Sequence, residues 1–162
     1  MSAISLVYEA LKQQGRATAL AFQDKSGTMT GTELYAEEDY IPDFKAACAK
    51  MNMLERTAGQ DNGFVCRSSA GRICRLIQNY DSTIYTEEPE ELEAQWRFQW
   101  STDPAKALPF IESSTSYYNT GDCCLNGAGE ARRSNIDVNT YDPDKYPEFW
   151  DDPYAEVTEV DA

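Results

Sequence analysis

Apolar residues recur at Ile4, Val7, Tyr8 and Leu11, the i, i+3, i+4, i+7 spacing of one helix face. Ser2 can cap this segment and Gly15 can end it, so the pattern predicts an N-terminal helix. Ala17 to Phe22 then reads as a short strand and Lys25-Ser26-Gly27 as a turn. After Pro42 a second helical stripe appears at Phe44, Ala47, Cys48 and Met51, with Lys45 and Lys50 off its face. Cys48 on that stripe reads as a small core residue rather than a reactive thiol. Two glycines, Asp61 and Asn62 fall between Ala58 and Gly63 and mark a module boundary.

Beyond that boundary the period shortens from helix to strand. Phe64-Val65-Cys66, Arg72 to Ile77 and Ile84-Tyr85 are strand-like runs separated by turn residues. Phe98 and Trp100 alternate with Arg97 and Gln99, which predicts a strand with one core-facing side. Ser101-Thr102-Asp103-Pro104 is a helix start, with Thr102 or Ser101 as cap and Pro104 in the first turn. The helix can run only through Leu108 before Pro109, so it serves as a short link.

The link joins two related stretches. Asn79-x-Asp81-x-x-x-Tyr85 recurs as Asn135-x-Asp137-x-x-x-Tyr141, and a proline stands seven residues before a tryptophan in both, Pro89 to Trp96 and Pro143 to Trp150. Each stretch also orders a glycine, a cysteine, a turn glycine and an arginine: Gly63, Cys66, Gly71, Arg75, and Gly121, Cys123, Gly129, Arg133. One small structural unit used twice explains the set.

The second stretch has more specific content. Tyr118-x-x-Gly121-Asp122, Asn126-Gly127, Arg133-Ser134-x-x-Asp137-x-Asn139 and Pro143-x-x-Tyr146-Pro147-x-x-Trp150 resemble the small chitin-binding-type modules of carbohydrate-binding families 5 and 12. The versions in tail-associated proteins of bacteriophages and prophages are more similar still. Ser101 to Ala107, Gly31-Thr32-Glu33-Leu34 and Ile41-Pro42-Asp43-Phe44 fit phage proteins with two such modules in tandem. The likeness covers roughly residues 30 to 153 and is fuller in the second unit. It departs from the family where a tyrosine or tryptophan usually follows the glycine turn: Cys74 and Arg132 stand there, and Tyr141 replaces a frequent tryptophan. The missing ring implies weak or lost sugar stacking. Gly121, Asp122, Pro143 and Trp150, the turn-building and sheet-closing residues, imply that the fold is kept.

A sugar site needs flat aromatic faces held beside hydrogen-bonding groups. The candidates are Tyr141, Trp150, Asp137 and Asn139 in the second unit, with Tyr85 and Trp96 in the first. A module of ~40 residues has so little core that its tryptophan often is the core. Trp96 and Trp150 therefore read as packing residues first, and Tyr85 and Tyr141 stand between surface and scaffold.

Composition narrows the rest. With 41% hydrophobic and 12% aromatic residues, the 162-residue chain can bury a core. Twenty-eight acids against fourteen bases give −14, which repels nucleic acid and anionic membranes. Eight acids and one base between Asp142 and Asp161 put −7 of that at one end, where it reads as a solubilising tail. The absence of histidine removes the commonest general base and the serine and cysteine triads that use it. No run is long enough to span a bilayer, and the N-terminus lacks a signal-peptide layout. Five cysteines, two of them adjacent, point to a reduced site of synthesis. Cys66, Cys74, Cys123 and Cys124 follow no zinc-knuckle spacing, and Asp137 to Glu148 lacks the mid-loop glycine of a calcium loop. Asp151-Asp152 has no apolar surroundings to raise one carboxyl for glycoside hydrolysis.

These readings predict an α+β chain: a helical attachment segment over 1–58, β modules over 59–104 and 105–153 joined by a short helix, and an acidic tail over 154–162. The function they imply is a non-enzymatic accessory protein of a phage virion, made in the bacterial cytoplasm and needing no cofactor or metal. Its partners would be other virion proteins, copies of itself on the particle and a host cell-surface glycan, without nucleic acid or membrane insertion. The alternatives are a purely structural virion protein and an acidic mimic of nucleic acid. The internal repeat argues against the mimic.

Overall fold

The computed structural model describes residues 2–48 and 63–155. A single helix, α1 (Ala3–Ser26), opens the chain, and the Ser2 hydroxyl caps it by accepting from the Ser5 N–H at 3.2 Å. The stop expected at Gly15 and the strand expected at Ala17 to Phe22 are both corrected, because the helix runs through them. A glycine inside a helix costs only about 1 kcal/mol against alanine, and Ala17, Ala19, Leu20 and Ala21 are strong helix formers. The stripe at Ile4, Val7, Tyr8 and Leu11 is real but faces solvent, at 58–83% exposure. Only Phe22 and Ser26 of α1 are buried.

The end of α1 is fastened to the first sheet. The Gln23 amide donates to Val65 O at 2.9 Å and accepts from Val65 N–H at 2.8 Å, and Arg75 donates to Ser26 O at 2.9 Å. Phe22 joins Leu34, Tyr35, Ile41, Val65 and Ile73 in a small core. Helix α2 (Gly31–Ala36) starts with a reciprocal capping box between Thr30 and Glu33. Helix α3 (Phe44–Cys48) buries Phe44 and Ala47 as their spacing required. The Cys48 side chain, Met51 and the boundary expected at 58–62 lie outside the described residues.

Two three-stranded antiparallel sheets follow, so the chain is α+β as expected. The first joins β1 (Val65–Arg67), β2 (Ile73–Leu76) and β3 (Trp96–Phe98), and the second joins β4 (Cys123–Leu125), β5 (Ala131–Ser134) and β6 (Trp150–Asp151), each in sequence order. Trp100 lies just beyond β3, buried with Phe98. Ile84-Tyr85 is no strand. It ends a turn in which both N–H groups donate to Asp81 O, at 3.1 and 3.0 Å, because the Asp81 carboxylate accepts from Thr83 N–H and folds the chain back. The link is a single helical turn, Pro104–Lys106, and its cap is Asp103, whose carboxylate accepts from Ala105 N–H at 2.9 Å. Ser101 instead accepts from Asp103 N–H.

The repeat is visible in the hydrogen bonds. Cys66 pairs with Cys74 and Leu76 with Trp96 in the first sheet; Cys124 pairs with Arg132 and Ser134 with Trp150 in the second. Both first hairpins close on a left-handed glycine, Gly71 at φ 84° and Gly129 at φ 77°, whose N–H donates to Ser68 O and Asn126 O respectively. Arg67 N–H donates to Pro42 O, and Leu125 N–H to Leu108 O, so the segment before each sheet docks alike. Pro89 and Pro143 are both buried at the start of the turn that leads to the tryptophan. The Asn-x-Asp spacing does not belong to this match. Ile77 and Asn135 are the residues that occupy one position, each donating its N–H to the carbonyl just before the tryptophan, Gln95 O and Phe149 O.

One continuous core joins the sheets. Trp96, Phe98 and Trp100 from the first meet Tyr118, Cys124 and Trp150 from the second. The Arg72 guanidinium crosses between them, donating to Glu90 Oε1 at 2.9 Å and to Pro109 O at 3.0 Å, with its carbon 5.8 Å from the Phe98 ring centre and 5.9 Å from that of Trp100. Glu90 also accepts from the Ser68 hydroxyl at 2.6 Å. Removing the carboxylate leaves a buried cation, so Glu90→Ala is expected to lower unfolding free energy by about 3–5 kcal/mol. In urea unfolding, tryptophan fluorescence and far-ultraviolet circular dichroism of the wild type should trace one coincident transition; separate transitions would mean that the shared core does not couple the sheets.

Candidate functional site

Both candidate tryptophans are interior. Trp96 has no exposed surface and donates its indole N–H to the Tyr80 hydroxyl at 3.1 Å; Trp150 is 6% exposed and donates to Tyr141 O at 2.9 Å. Neither presents a face to a ligand, which corrects their place among the sugar-contact candidates. Their job is packing. Trp96 meets Phe44 edge-on at 5.7 Å, and Trp150 meets Tyr118 at 5.3 Å.

Asn139 is corrected in the same way. It is wholly buried, donates to the Ser134 hydroxyl at 2.8 Å and to Phe149 O at 3.2 Å, and accepts from Tyr141 N–H at 3.0 Å. Its backbone pairs with Tyr118 in both directions, at 3.0 and 2.7 Å. Val138 beside it sits at φ 53°, the left-handed region that a β-branched residue rarely enters, and its N–H donates to the Asn119 side chain. Asp137 is exposed. Its carboxylate accepts from Thr120 N–H at 3.0 Å, and bonds from Thr120 hold it below the usual carboxylate range.

Tyr141 is the one candidate that is exposed and packs with other rings. It is 41% exposed and packs with Phe149 at 4.6 Å and Tyr146 at 5.1 Å between ring centres. Two local features hold the group. Asp142 O accepts the Lys145 and Tyr146 N–H groups around a turn begun by Pro143, and Pro147–Phe149 forms one further helical turn. Below, Asn139 and the Trp150 indole hold the backbone of Tyr141. Asp142, Asp144 and Glu148 are its neighbours in sequence, and the Asp144 carboxylate accepts from Gly127 N–H at 2.7 Å. Tyr85, by contrast, is exposed at the end of its turn, and among the described residues no aromatic ring packs on it.

The position of the missing strand ring differs between the sheets. Cys74 is fully buried, and burial pushes its thiol up. Arg132 is partly exposed, donating to Glu130 at 2.6 Å and to Ala131 O at 3.0 Å. Beside it, Pro104, Leu125, Asp152 and Tyr154 line a shallow hollow of about 370 Å³. A second hollow, of about 480 Å³, lies where Arg97, Phe98 and Gln99 of the first unit meet Ser116, Asn119 and Asp122.

Tyr146 belongs to the sequence motif but not to the sugar-contact candidates, and Phe149 and Tyr154 belong to neither. The available signal was the density of rings in Tyr146-Pro147-x-Phe149-Trp150, where prolines fix the backbone and the rings share a short arc. Among the described residues, no three or more cysteine and acidic side chains gather as a metal site, and no helix is long and apolar enough to cross a membrane. The chain matches no family model, no curated protein and no solved structure.

Two outcomes follow from this geometry. Asn139→Ala leaves buried groups unpaired, and at ~1–3 kcal/mol for each such group it should lower unfolding free energy by about 2–4 kcal/mol in urea. Burial, against a bond from Asn119 N–H and with the nearby Asp137 charge, raises the Asp122 carboxyl above its ordinary value. The native state then binds this proton more tightly than the unfolded chain, so the contribution of Asp122 to stability falls as pH rises from the unfolded value of ~4 through the folded one. Asp122→Asn should remove that fall, and thermal midpoints should match wild type below pH ~4 and exceed it at neutral pH.

Proposed function

We propose that this chain is a non-enzymatic accessory protein of a phage or prophage particle, whose second β unit makes weak contacts with a cell-surface glycan of chitin type. The observation that carries the reading is the pair of exposed rings Tyr141 and Tyr146, packed on each other and on the partly buried Phe149. Flat rings give a pyranose an apolar face to lie on, and the carboxylates of Asp142, Asp144 and Glu148 offer acceptors for its hydroxyls. Support also comes from the backbone: Gly121 at φ 100° makes the turn that enters β4, and Trp150 closes the sheet, the roles that the resemblance implied for them. Arg132 gives a planar guanidinium where the family has an apolar plate, so one copy binds poorly, at the millimolar end or about −4 kcal/mol. Many copies on a particle convert weak contacts into retention through effective concentration.

A purely structural role in particle assembly is the second reading. The single core running through both sheets favours it, because the units then act as one rigid block rather than as independent binders.

Retention of the full chain on insoluble chitin, with chitin oligosaccharides as competitor, separates the two. Tyr141→Ala combined with Tyr146→Ala should abolish retention and leave the thermal midpoint nearly unchanged, since both rings are outside the core. Arg132→Tyr should tighten oligosaccharide binding by ~0.5–1.5 kcal/mol in calorimetry. A wild type that never binds glycan would leave the assembly role in its place.

A further inference from the structure

We infer that the exposed stripe of α1 is the docking surface for a second copy of this chain, with the two helices lying antiparallel. This does not rest on the glycan reading. Ile4, Tyr8, Leu11, Gly15, Thr18 and Phe22 follow one another at helical spacing along one side of α1. Phe22 ends the stripe in the chain's own core, stacked on Tyr40 at 6.0 Å, while the large residues toward the N-terminus are uncovered. Val7, beside this line on the same side, is also more than half exposed, so Ile4, Val7, Tyr8 and Leu11 form one contiguous uncovered apolar patch. Contiguous apolar patches of this kind mark interfaces. A helix of this kind standing alone in water is marginal, and a packed face is what ordinarily holds it.

Charge selects the occupant. Glu9 and Asp24 against Lys12, Arg16 and Lys25 leave α1 at +1, so the other residues carry −15 of the total of −14. Two copies approaching through their bodies repel each other; two copies meeting through α1 do not. An anionic membrane is a poorer fit. Three bases and two acids do not make the basic polar face that such surfaces attract, and the acidic body opposes the approach.

Charge and size together select the orientation. The stripe is symmetric about residue 13, so an antiparallel partner sets Leu11 over Gly15, Tyr8 over Thr18 and Ile4 beside Phe22. Large then faces small at two of the three levels. A Cβ placed on Gly15 would meet nothing within 4 Å, which leaves open room there for Leu11 of the second copy. The 24-residue helix is about 36 Å long, so antiparallel pairing holds the acidic bodies several ~8 Å screening lengths apart, where parallel pairing would set them side by side.

Sedimentation of the full chain across the micromolar range should give twice its 18.2 kDa mass. Leu11→Glu and Tyr8→Glu should return it to the single-chain mass with unchanged tryptophan fluorescence. Gln13→Glu, the same added charge on the opposite side of α1, should remain dimeric. For orientation, Tyr8→Cys and Thr18→Cys chains, each made with Cys48→Ser, are mixed and oxidised; the mixed cross-link should form in preference to either like pair. A monomeric wild type, a dimer that survives Leu11→Glu, or a dominant Tyr8→Cys like pair would each overturn the inference.

Discussion

The stack of Trp100 on Tyr118, ring centres 4.1 Å apart at an interplanar angle of 16°, is the contact through which the two halves of the molecule become one. Trp100 follows the last strand of the first sheet, and its indole N–H donates to both Ser116 O and Tyr117 O at 3.1 Å. Tyr118 pairs with Asn139, stacks on Phe110 and meets Trp150 edge-on. From this pair the core reaches Cys124 of β4, Trp150 of β6 and Phe149, on which Tyr141 packs. Each unit alone has three short strands and too few apolar residues for an independent core. Pooling their tryptophans solves that shortage, and it explains why residues that look like binding groups in a small module are interior here.

The same pooling makes a repeated sequence functionally unequal. At the matched strand position the first unit has Cys74, sealed in the core, and the second has Arg132, reaching solvent. Phe44 and Tyr80 pack on Trp96, whereas the turn next to Trp150 exposes Tyr141 and Tyr146. The two sheets share one register, and packing against different neighbours leaves this strand position buried in one and open in the other. The residues that support the open one, Asn139 and Trp150, act on Tyr141 through its backbone, by hydrogen bonds to its N–H and its carbonyl.

What could be read from the chain follows the range of the forces involved. Strands β1 and β2, the hairpin glycines Gly71 and Gly129 and the proline-to-tryptophan turns are set by local alternation and φ preference, and they stood where the pattern put them. Asp81 shows the limit: Ile84-Tyr85 has strand-forming residues, yet one carboxylate bonding two positions ahead folds it into a turn. Gly15 shows another, since a penalty near 1 kcal/mol is outweighed by the alanine-rich residues after it. Periodicity also identified the stripe on α1 while giving no sign that it faces water, because amphipathic spacing is the same for a core face and for an interface. Among the site residues, burial divided Tyr141 from Asn139 and Trp150, and burial is the one property that a linear pattern does not carry.

The distribution of charge ties the two ends of this picture together. A body at −15 stays apart from its neighbours except where an uncharged or basic surface intervenes, and α1 is the segment that supplies one. The ring group of the second unit sits at the acidic end of the chain, where Asp142, Asp144 and Glu148 disfavour anionic ligands and are compatible with the neutral, hydroxyl-rich ones proposed. The segregation of charge is thus compatible with the two contacts proposed above, an apolar and homotypic one along the helix and a weak, uncharged one at the rings. Neither proposed contact needs the other to form, but a helix-joined pair would carry two ring groups, and a second weak site on the same assembly raises retention without any new chemistry.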